Sequence, residues 1–226
     1  MRASRPERLP RAVVFDMDGL MLDTERMAPR CWSEAAAALG VTFDTDLILA
    51  MIGRNARDSR QFVLDHYGDD YPIDALMLES RVQFDAIVER EGIAMKPGLH
   101  ALLEWLEMQR IPRAVATSTH RDRAELHLER CALLSRFHAL VGGDEVANGK
   151  PAPDIFLLAA ARLDVDTADC VVLEDSEHGI RGALAAGMIP IMVPDLLAPS
   201  EDLLAREPLV LPSLADVHAH LAALPR

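Results

Sequence analysis

The spacing of apolar and polar residues changes twice along the chain. Residues 12–15 form a short apolar run, which predicts a strand buried on both faces, as in a parallel sheet. From about residue 25 to residue 95 the apolar residues recur at helical spacing, and no run there favours a strand. From residue 96 onward, amphipathic stretches alternate with short apolar runs. This alternation is typical of β-α-β units, so we expect an α/β fold with a Rossmann-like parallel sheet.

The individual elements follow from the same pattern and from residues that begin or end helices. Strands are expected over 113–117, 138–141, 170–173, 189–193 and 209–211, and helices over 99–109, 121–130, 153–163, 177–186 and 213–224. Asp23 or Thr24 is expected to cap the helix that follows the first strand, and Gly40 to end it. Gly187 is expected to close a later helix, and Ser213 to cap the last one.

The chain is therefore expected to contain two domains and a short leader. Residues 1–10 are predicted to be a flexible leader, residues 11–24 and 96–226 the α/β core, and residues 25–95 a small α-helical cap domain. The cap is inserted just after the first strand. We expect it to lie over the C-terminal edge of the sheet, where a lid would act.

Composition excludes several classes of partner. The chain has 226 residues, 23 Lys and Arg against 36 Asp and Glu, and a formal net charge of −13, which argues against nucleic acid or an acidic membrane surface as partner. No apolar run approaches the roughly 20 residues of a membrane span. The three cysteines show neither zinc-ligand spacing nor a disulfide framework. We expect a reduced, cytoplasmic protein that is a monomer by default.

The first strand runs directly into two acids and a glycine, Asp16, Asp18 and Gly19. Asp16 is expected at the C-terminal end of the strand, where open α/β sheets place their ligands, and Gly19 allows a sharp turn there. Two carboxylates held this close are costly unless a cation joins them, and Mg²⁺ with oxygen ligands is the natural partner. The alternative is a solvated acidic turn.

Three further strand ends carry polar residues. Thr117 and Ser118 follow one strand, Lys150 lies in a loop framed by glycine and proline, and Glu174 and Asp175 follow another strand. Each has an ordinary alternative: threonine often ends a strand, most lysines are solvated, and an acid can cap a helix. Together with the first acidic pair they form a complete set for phosphoryl transfer: a nucleophile, a cation site, groups that hold phosphoryl oxygens, and a proton carrier.

In these motifs and their order the chain resembles the haloacid dehalogenase superfamily of phosphotransferases. The stretches 15–25, 149–156 and 173–180 look like the β-phosphoglucomutase-like branch, whose cap is a small bundle of helices. The resemblance runs from about residue 11 to the end of the chain and is loose in the cap.

The resemblance implies roles for four catalytic residues. Asp16 would be the nucleophile that forms an aspartyl-phosphate, and Asp18 the general acid and then the general base. Thr117 would donate its hydroxyl to the phosphoryl group. Lys150 would pair with that group and with Asp16, which keeps the nucleophile ionised.

The resemblance also implies a Mg²⁺ site and a substrate-binding set. The metal would be held by Asp16, Asp175 and the backbone carbonyl of Asp18, with Glu174 a ligand or a group that orients the others. The candidate substrate-binding residues are Gly19, Ser118, Arg54, Asn55 and Arg57. Sugar-phosphate mutases of this branch use a cap arginine to hold a second phosphate, but Ala56 stands at the matching position here.

The sequence thus favours a Mg²⁺-dependent phosphatase that hydrolyses a small phosphorylated metabolite, with a sugar phosphate as the expected substrate class. A β-phosphoglucomutase-type mutase with the same nucleophile is the first alternative, because both reactions share every core residue. A receiver-like switch that is phosphorylated on aspartate is the alternative outside enzymes; receivers are about half this length and lack the insert. Dehalogenases and phosphonate-cleaving enzymes are disfavoured, because neither has a use for Asp18 as a proton carrier.

Overall fold

The computed structural model describes residues 5–226, and its strands lie close to the predicted ones. The strands are β1 (Ala12–Phe15), β2 (Arg113–Ala116), β3 (Ala139–Val141), β4 (Cys170–Glu174), β5 (Ile189–Met192) and β6 (Leu209–Val210). The helices are α1 (Ala28–Leu39), α2 (Asp46–Met51), α3 (Ala56–Tyr67), α4 (Ile73–Glu91), α5 (Leu99–Met108), α6 (Arg121–Arg130), α7 (Asp154–Leu163), α8 (Glu177–Ala185), α9 (Glu201–Leu204) and α10 (Leu214–Ala222). Short 3₁₀ helices at 134–136, 143–145 and 167–169 join some of them.

The strands form one parallel sheet in the order β3-β2-β1-β4-β5-β6. β1 lies in the interior, paired with β2 on one side and with β4 on the other. Because all strands run in the same direction, their C-terminal ends meet at one edge. That edge carries the candidate catalytic residues, and the predicted α/β fold is confirmed.

Both faces of the sheet are covered by helices, which explains why β1 is apolar throughout. Val13 and Phe15 face one side and pack with residues of α5, α6 and α10. Ala12 and Val14 face the other side and pack with residues of α7 and α8. Side chains alternate between faces along a strand, so a strand buried on both sides has no polar position until it ends. The first polar side chain after β1 is therefore Asp16, which follows Phe15 at the edge.

Helices α1–α4 form a separate bundle above this edge, with a small apolar core of their own. The two segments that join the bundle to the sheet run antiparallel beside each other. Leu22 and Met95 form a β-bridge, the Asp23 N–H donates to the Ala94 carbonyl at 2.8 Å, and the Lys96 N–H donates to the Met21 carbonyl at 2.8 Å. We call the α1–α4 bundle the cap.

Four charged side chains hold these two segments together. The Lys96 ammonium lies 3.0 Å from Asp23 Oδ1 and 2.7 Å from Asp195 Oδ1. Arg26 makes ion pairs with the same two carboxylates, at 3.0 and 2.7 Å. Asp195 follows β5, so this network fastens both segments to the core.

Two of the predicted helix ends match the structure, and one predicted helix start does not. Gly40 ends α1 with φ +66°, and the Ser213 side chain accepts a hydrogen bond at the start of α10, so both predictions are confirmed. The predicted cap at Asp23 or Thr24 is wrong: α1 begins only at Ala28. The Thr24 hydroxyl donates to Asp18 instead, a contact between segments that helix-capping rules do not consider.

Residues 1–4 of the predicted flexible leader lie outside the described residues. In the remainder, Pro6 and Pro10 are buried, the Leu9 N–H donates to the Pro225 carbonyl at 2.8 Å, and Arg8 pairs with Asp169 at 2.7 Å. This part is held against the core. Among residues 5–226, no helix combines the length and the apolar character that crossing a membrane requires.

Candidate active site

Lys150 and Asp16 form the centre of the site. The Lys150 ammonium donates to Asp16 Oδ1 at 2.5 Å, to Glu174 Oε1 at 2.6 Å and to the Ala116 carbonyl at 3.1 Å. Lys150, Asp16 and Glu174 are buried. Three segments that are distant in sequence thus place one cation between two carboxylates at the C-terminal edge of the sheet.

Burial and neighbouring charges act in opposite directions on this pair. Burial opposes the charge of Lys150, but Asp16 and Glu174 more than compensate and raise the pKa of the ammonium above its ordinary value. Burial raises the pKa of Asp16 to about 8, with Lys150 opposing this and Glu174 and Asp18 adding to it. The site therefore holds more negative charge than one lysine balances.

Glu174 is held on both oxygens. Its Oε1 accepts from Lys150, and its Oε2 accepts from the Ser176 N–H at 2.8 Å and the Ser176 hydroxyl at 2.9 Å. Gly179 in α8 packs directly on this carboxylate, where a Cβ atom would overlap Oε1. Both oxygens of Glu174 thus have protein donors, which favours Glu174 as the residue that orients Lys150.

Asp18 is held by three hydroxyl groups. Its Oδ1 accepts from Thr24 at 2.7 Å, and its Oδ2 accepts from Thr119 at 2.7 Å and from Thr117 at 3.3 Å. Thr117 was among the predicted site residues, whereas Thr119 had no predicted role. The hydroxyl run 117–119 was the available signal, since every second residue after a strand can point the same way.

Three buried carboxylates form a candidate metal site. Asp16, Glu174 and Asp175 each offer an oxygen atom, and these atoms lie within 4.8 Å of one another. Burial, together with Glu174 and Glu25, raises the pKa of Asp175 well above its ordinary value. Gly19, with φ +81°, passes so close to Asp175 that a side chain there would overlap the carboxylate. Clustered buried carboxylates with hard oxygen donors fit a divalent cation such as Mg²⁺.

A fourth acid adjoins this cluster. Glu25 also lines the cavity, and its Oε2 is buried without a hydrogen-bond partner among the described residues. Burial and the nearby charge of Asp18 raise its pKa to about 9. The cluster of acidic groups therefore extends beyond the three candidate ligands.

A cavity of about 360 Å³ lies between this edge and the cap. Its floor is polar and comes from the core: Asp16, Asp18, Thr117, Ser118 and Asp175. Its roof is largely apolar and comes from the cap: Trp32, Ile48, Met51, Met77 and Phe84. The Ser118 hydroxyl donates to the Gly53 carbonyl at 3.0 Å, so floor and roof touch directly.

The cap residues that the sequence suggested for substrate binding differ in whether they line the cavity. Arg54 lines the cavity, but its Nε donates to the Ala50 carbonyl at 3.0 Å and its guanidinium lies 5.0 Å from the Phe62 ring centre. Ala56, which stands where an arginine was sought, also lines the cavity.

The other predicted substrate-binding residues do not line this cavity. Arg57 contacts Asp58 at 3.2 Å and donates to the Ala147 carbonyl at 3.2 Å. Asn55 caps α3 by accepting from the Asp58 N–H at 2.9 Å. Gly19 packs against Asp175, as described above. These contacts give Arg57, Asn55 and Gly19 structural roles, and of the predicted set the cavity brings together Arg54 and Ser118.

Comparison with known proteins places the chain in a family. A family model described as haloacid dehalogenase-like hydrolase matches residues 10–187. A probable pseudouridine-5′-phosphatase of Drosophila melanogaster is 35% identical over 218 residues, covering 94% of this chain and 93% of that protein. A β-phosphoglucomutase of Bacillus subtilis is 33% identical over 189 residues, covering 81% and 83%. The crystal structure of CbbY from Rhodobacter sphaeroides in complex with phosphate matches with a TM-score of 0.80 and 28% identity, covering 92% and 96%.

The chain belongs to the haloacid dehalogenase-like hydrolase family. This membership confirms the family resemblance drawn from the motifs. It also makes the protein an enzyme of the hydrolase class, which rules against a receiver-like switch.

Proposed function

We propose that the protein is a Mg²⁺-dependent phosphatase that hydrolyses a small phosphorylated metabolite through an aspartyl-phosphate on Asp16. The observation that carries the proposal is the shared cavity floor, where Asp16, paired with Lys150, lies beside a hydroxyl-held Asp18 and a further buried acid, Asp175. A nucleophile, a proton carrier and a cation site in one enclosed space are the requirements of this reaction.

In the first half of the reaction, an oxygen of Asp16 forms a bond to phosphorus and the bond from phosphorus to the alcohol oxygen breaks. Asp18 gives its proton to that oxygen, so the alcohol leaves neutral. Lys150 opposes the effect of burial on the pKa of Asp16 and so favours its ionised form, and it shields charge on the phosphoryl oxygens. Thr117 and Ser118 supply hydroxyl groups at the floor.

In the second half, Asp18 takes a proton from water as that water attacks phosphorus. The bond from phosphorus to Asp16 breaks, inorganic phosphate leaves, and Asp16 and Asp18 return to their starting states. The hydroxyl groups of Thr24 and Thr119 fix the carboxylate of Asp18 at 2.7 Å each, which suits a group that transfers a proton twice.

Asp16, Asp175 and the backbone carbonyl of Asp18 would hold the Mg²⁺ ion, with Glu174 orienting Lys150. A bound Mg²⁺ neutralises the surplus negative charge of the floor and of the phosphoryl group. The oxygen atoms of Asp16, Glu174 and Asp175, which lie within 4.8 Å of one another, support a cation at this position.

The substrate class is inferred from the cavity and from the relatives. Those relatives include a protein named probable pseudouridine-5′-phosphatase and one named β-phosphoglucomutase, so we propose a sugar phosphate or a related metabolite. A mutase needs a cation in the cap for its second phosphate. Ala56 at the matching position, and an Arg54 already bound to the Ala50 carbonyl, favour hydrolysis, whereas Arg81 is the cavity-lining arginine through which a mutase could still hold that phosphate. A cytoplasmic monomer stays a prediction.

The test is the Asp16→Asn variant. We expect it to lose roughly 10⁴-fold or more of the turnover, because the nucleophile is gone. A panel of phosphorylated metabolites with Mg²⁺ is assayed for both free phosphate and isomerised sugar. Asp65→Asn, an exposed aspartate on α3, is the matched control and should keep full activity. Near-normal phosphate release by Asp16→Asn would contradict the mechanism, and isomerised sugar without phosphate would favour the mutase.

A further inference from the structure

One short segment of the cap, residues 53–58, touches the core next to the residues of the proposed reaction. The Ser118 hydroxyl donates to the Gly53 carbonyl at 3.0 Å. A Cβ atom on Gly53 would lie 2.6 Å from Ser176 Oγ, so Gly53 also packs closely on Ser176. Ser118 directly follows Thr117, and Ser176 directly follows the acidic pair at the end of β4. The cap therefore meets the core at two of the strand ends that form the site.

The same segment packs on Gly149, the residue before Lys150. A Cβ atom on Gly149 would overlap the Asn55 amide nitrogen, and the next atoms that it would meet, Asn55 Cγ and Asp58 Oδ2, also belong to the cap. Gly149 is not among the glycines with a positive φ, so its backbone would accept alanine. The close approach of the cap is therefore what requires glycine at this position.

Asn55 is held in this contact by the helix that it caps. The residue is 9% exposed, and its Oδ1 accepts from the Asp58 N–H at 2.9 Å at the start of α3. Rotation of the side chain away from Gly149 would break this helix cap. The Arg57 guanidinium adds a second contact with the same core loop, 3.2 Å from the Ala147 carbonyl.

A second set of contacts joins the cap to core helix α6. The His127 ring stacks on Phe84 of α4 with centroids 5.1 Å apart, and Arg123 pairs with Asp85 at 3.0 Å. These contacts also hold the cap, but none of the four residues is a sequence neighbour of a residue in the proposed reaction. The contact between Asn55 and Gly149 differs from them because it reaches the backbone beside the ammonium group of the site.

We propose that Asn55 is a positioning residue: its contact with Gly149 holds the cap closed over the cavity and fixes the backbone that carries Lys150. The proposal rests on the phosphatase function proposed above. The Lys150 ammonium donates to Asp16 and to Glu174, so a shift of its backbone would move the cation beside the nucleophile. Closure of the cap excludes water from the cavity at the same time. Enclosure of the substrate and placement of the ammonium are thus coupled through one contact.

The test is a double-mutant cycle of Gly149→Ala and Asn55→Ser, assayed with p-nitrophenyl phosphate and Mg²⁺. Gly149→Ala should lower kcat about tenfold and change KM less than about twofold, because the added Cβ displaces the cap and neither residue lines the cavity. Serine caps a helix as asparagine does but is shorter, so it leaves room for the Cβ. In the Asn55→Ser background, Gly149→Ala should therefore change kcat less than about twofold. Asn148→Ala is the control and should behave like wild type, because this exposed neighbour donates to Asp154.

Tryptophan fluorescence measures closure of the cap independently of catalysis. Of the two tryptophans, Trp32 lines the cavity and Trp105 packs in the core, so Trp105→Phe leaves Trp32 as the single reporter. Quenching by acrylamide should be about twofold stronger when Gly149→Ala is added, because Trp32 becomes accessible as the cap moves away. Asn55→Ser alone should also strengthen quenching and lower kcat about threefold, and the double variant should match it.

Two outcomes of the cycle would overturn the proposal: equal losses of kcat from Gly149→Ala in both backgrounds, or a lower kcat with unchanged quenching of Trp32. If thermal denaturation shows that Gly149→Ala does not fold, Asn55→Ser decides alone, and unchanged kcat with unchanged quenching would contradict the role of Asn55. A wild-type protein that releases no phosphate from p-nitrophenyl phosphate or from any ester of the metabolite panel would instead overturn the proposed function. The quenching pattern would then still decide whether Asn55 closes the cap.

Discussion

The floor and the roof of the cavity handle charge in opposite ways. The floor concentrates buried charges that meet one another, with Lys150 between Asp16 and Glu174. In the roof, Arg54 lines the cavity but is bound to backbone and stacked on Phe62, and Arg81 is the other cap arginine in the lining. On the proposed function, the core acts on the phosphoryl group and the cap encloses the alcohol that carries it.

This contrast has an energetic basis. Removing charges from water costs several kcal/mol per ion, and mutual attraction repays this only with good geometry. In the floor, buried charged groups are retained because the proposed phosphoryl transfer requires them. The cap does not bury charge in this way. Its helices bury an apolar core, and arginines such as Arg60 form ion pairs at the surface. Substitutions in the two regions should accordingly affect different kinetic constants.

The largest effect is expected in the floor. Asp18→Ala removes the proton carrier, so turnover should fall roughly 10³-fold for every substrate alike. Mg²⁺ binding, measured by calorimetry, should survive, because the ligand expected from this residue is its backbone carbonyl. Asp65→Ala provides the comparison at an exposed aspartate. A loss confined to one substrate would break the division between floor and roof.

A smaller effect is expected in the roof. Arg54→Ala removes surface that lines the cavity without touching the reacting groups, so kcat/KM should fall about tenfold, with the change in KM. The ratio between substrates should change as well. Arg60→Ala is the control, because Arg60 lies on the following helix, α3, pairs with Asp74 and does not line the cavity; it should behave like wild type. An unchanged KM with a lower kcat would mean that the cap takes part in the chemical step.

The smallest effect concerns Glu145, a carboxylate that does not line the cavity. Glu145 accepts from Arg162 at 2.6 Å and pairs with Arg121, and these contacts lower its pKa to about 2. Because the folded-state pKa lies below the unfolded value, the stabilisation is present above about pH 4.5 and is lost as the pH falls towards 2.

Glu145→Gln should therefore lower the free energy of unfolding by about 1 kcal/mol at pH 7, and by progressively less between pH 4.5 and pH 2. Urea denaturation at several pH values measures this difference. A difference that stays constant with pH would show that charge at Glu145 does not matter. Activity at pH 7 should be unchanged, which sets this core carboxylate apart from those in the floor.

Most of the core could be predicted because its signals are local. An apolar run with acids directly after it, as in residues 12–18, defines both a buried strand and its catalytic end. In the cap, the apolar periodicity predicted burial less well than in the core. Leu78 and Val82 fit a helical apolar pattern, yet they are 63% and 53% exposed on α4. The short helix α9 was not predicted, since four residues carry too little periodicity.

The site shows the same limit. Topology brings Asp16 and Glu174 together, because β1 and β4 are neighbouring parallel strands that end at one edge, and Lys150 reaches them from the loop between β3 and α7. Thr119 and His127 were missed because their meaning depends on partners that are distant in sequence. Thr119 binds Asp18, and His127 stacks on Phe84 of the other domain. Contacts of this kind have no periodic or motif signature in a single sequence.

The paired segments at Leu22 and Met95 make the cap structurally separable from the sheet domain. Its polypeptide leaves and re-enters the sheet domain at one point, fastened there by Lys96 and Asp195. A stretch of chain whose two ends meet can be exchanged for another of different length and shape without moving a single strand. Replacing the cap at this one junction can therefore change the substrate, while the residues of the sheet domain that carry out the reaction stay the same.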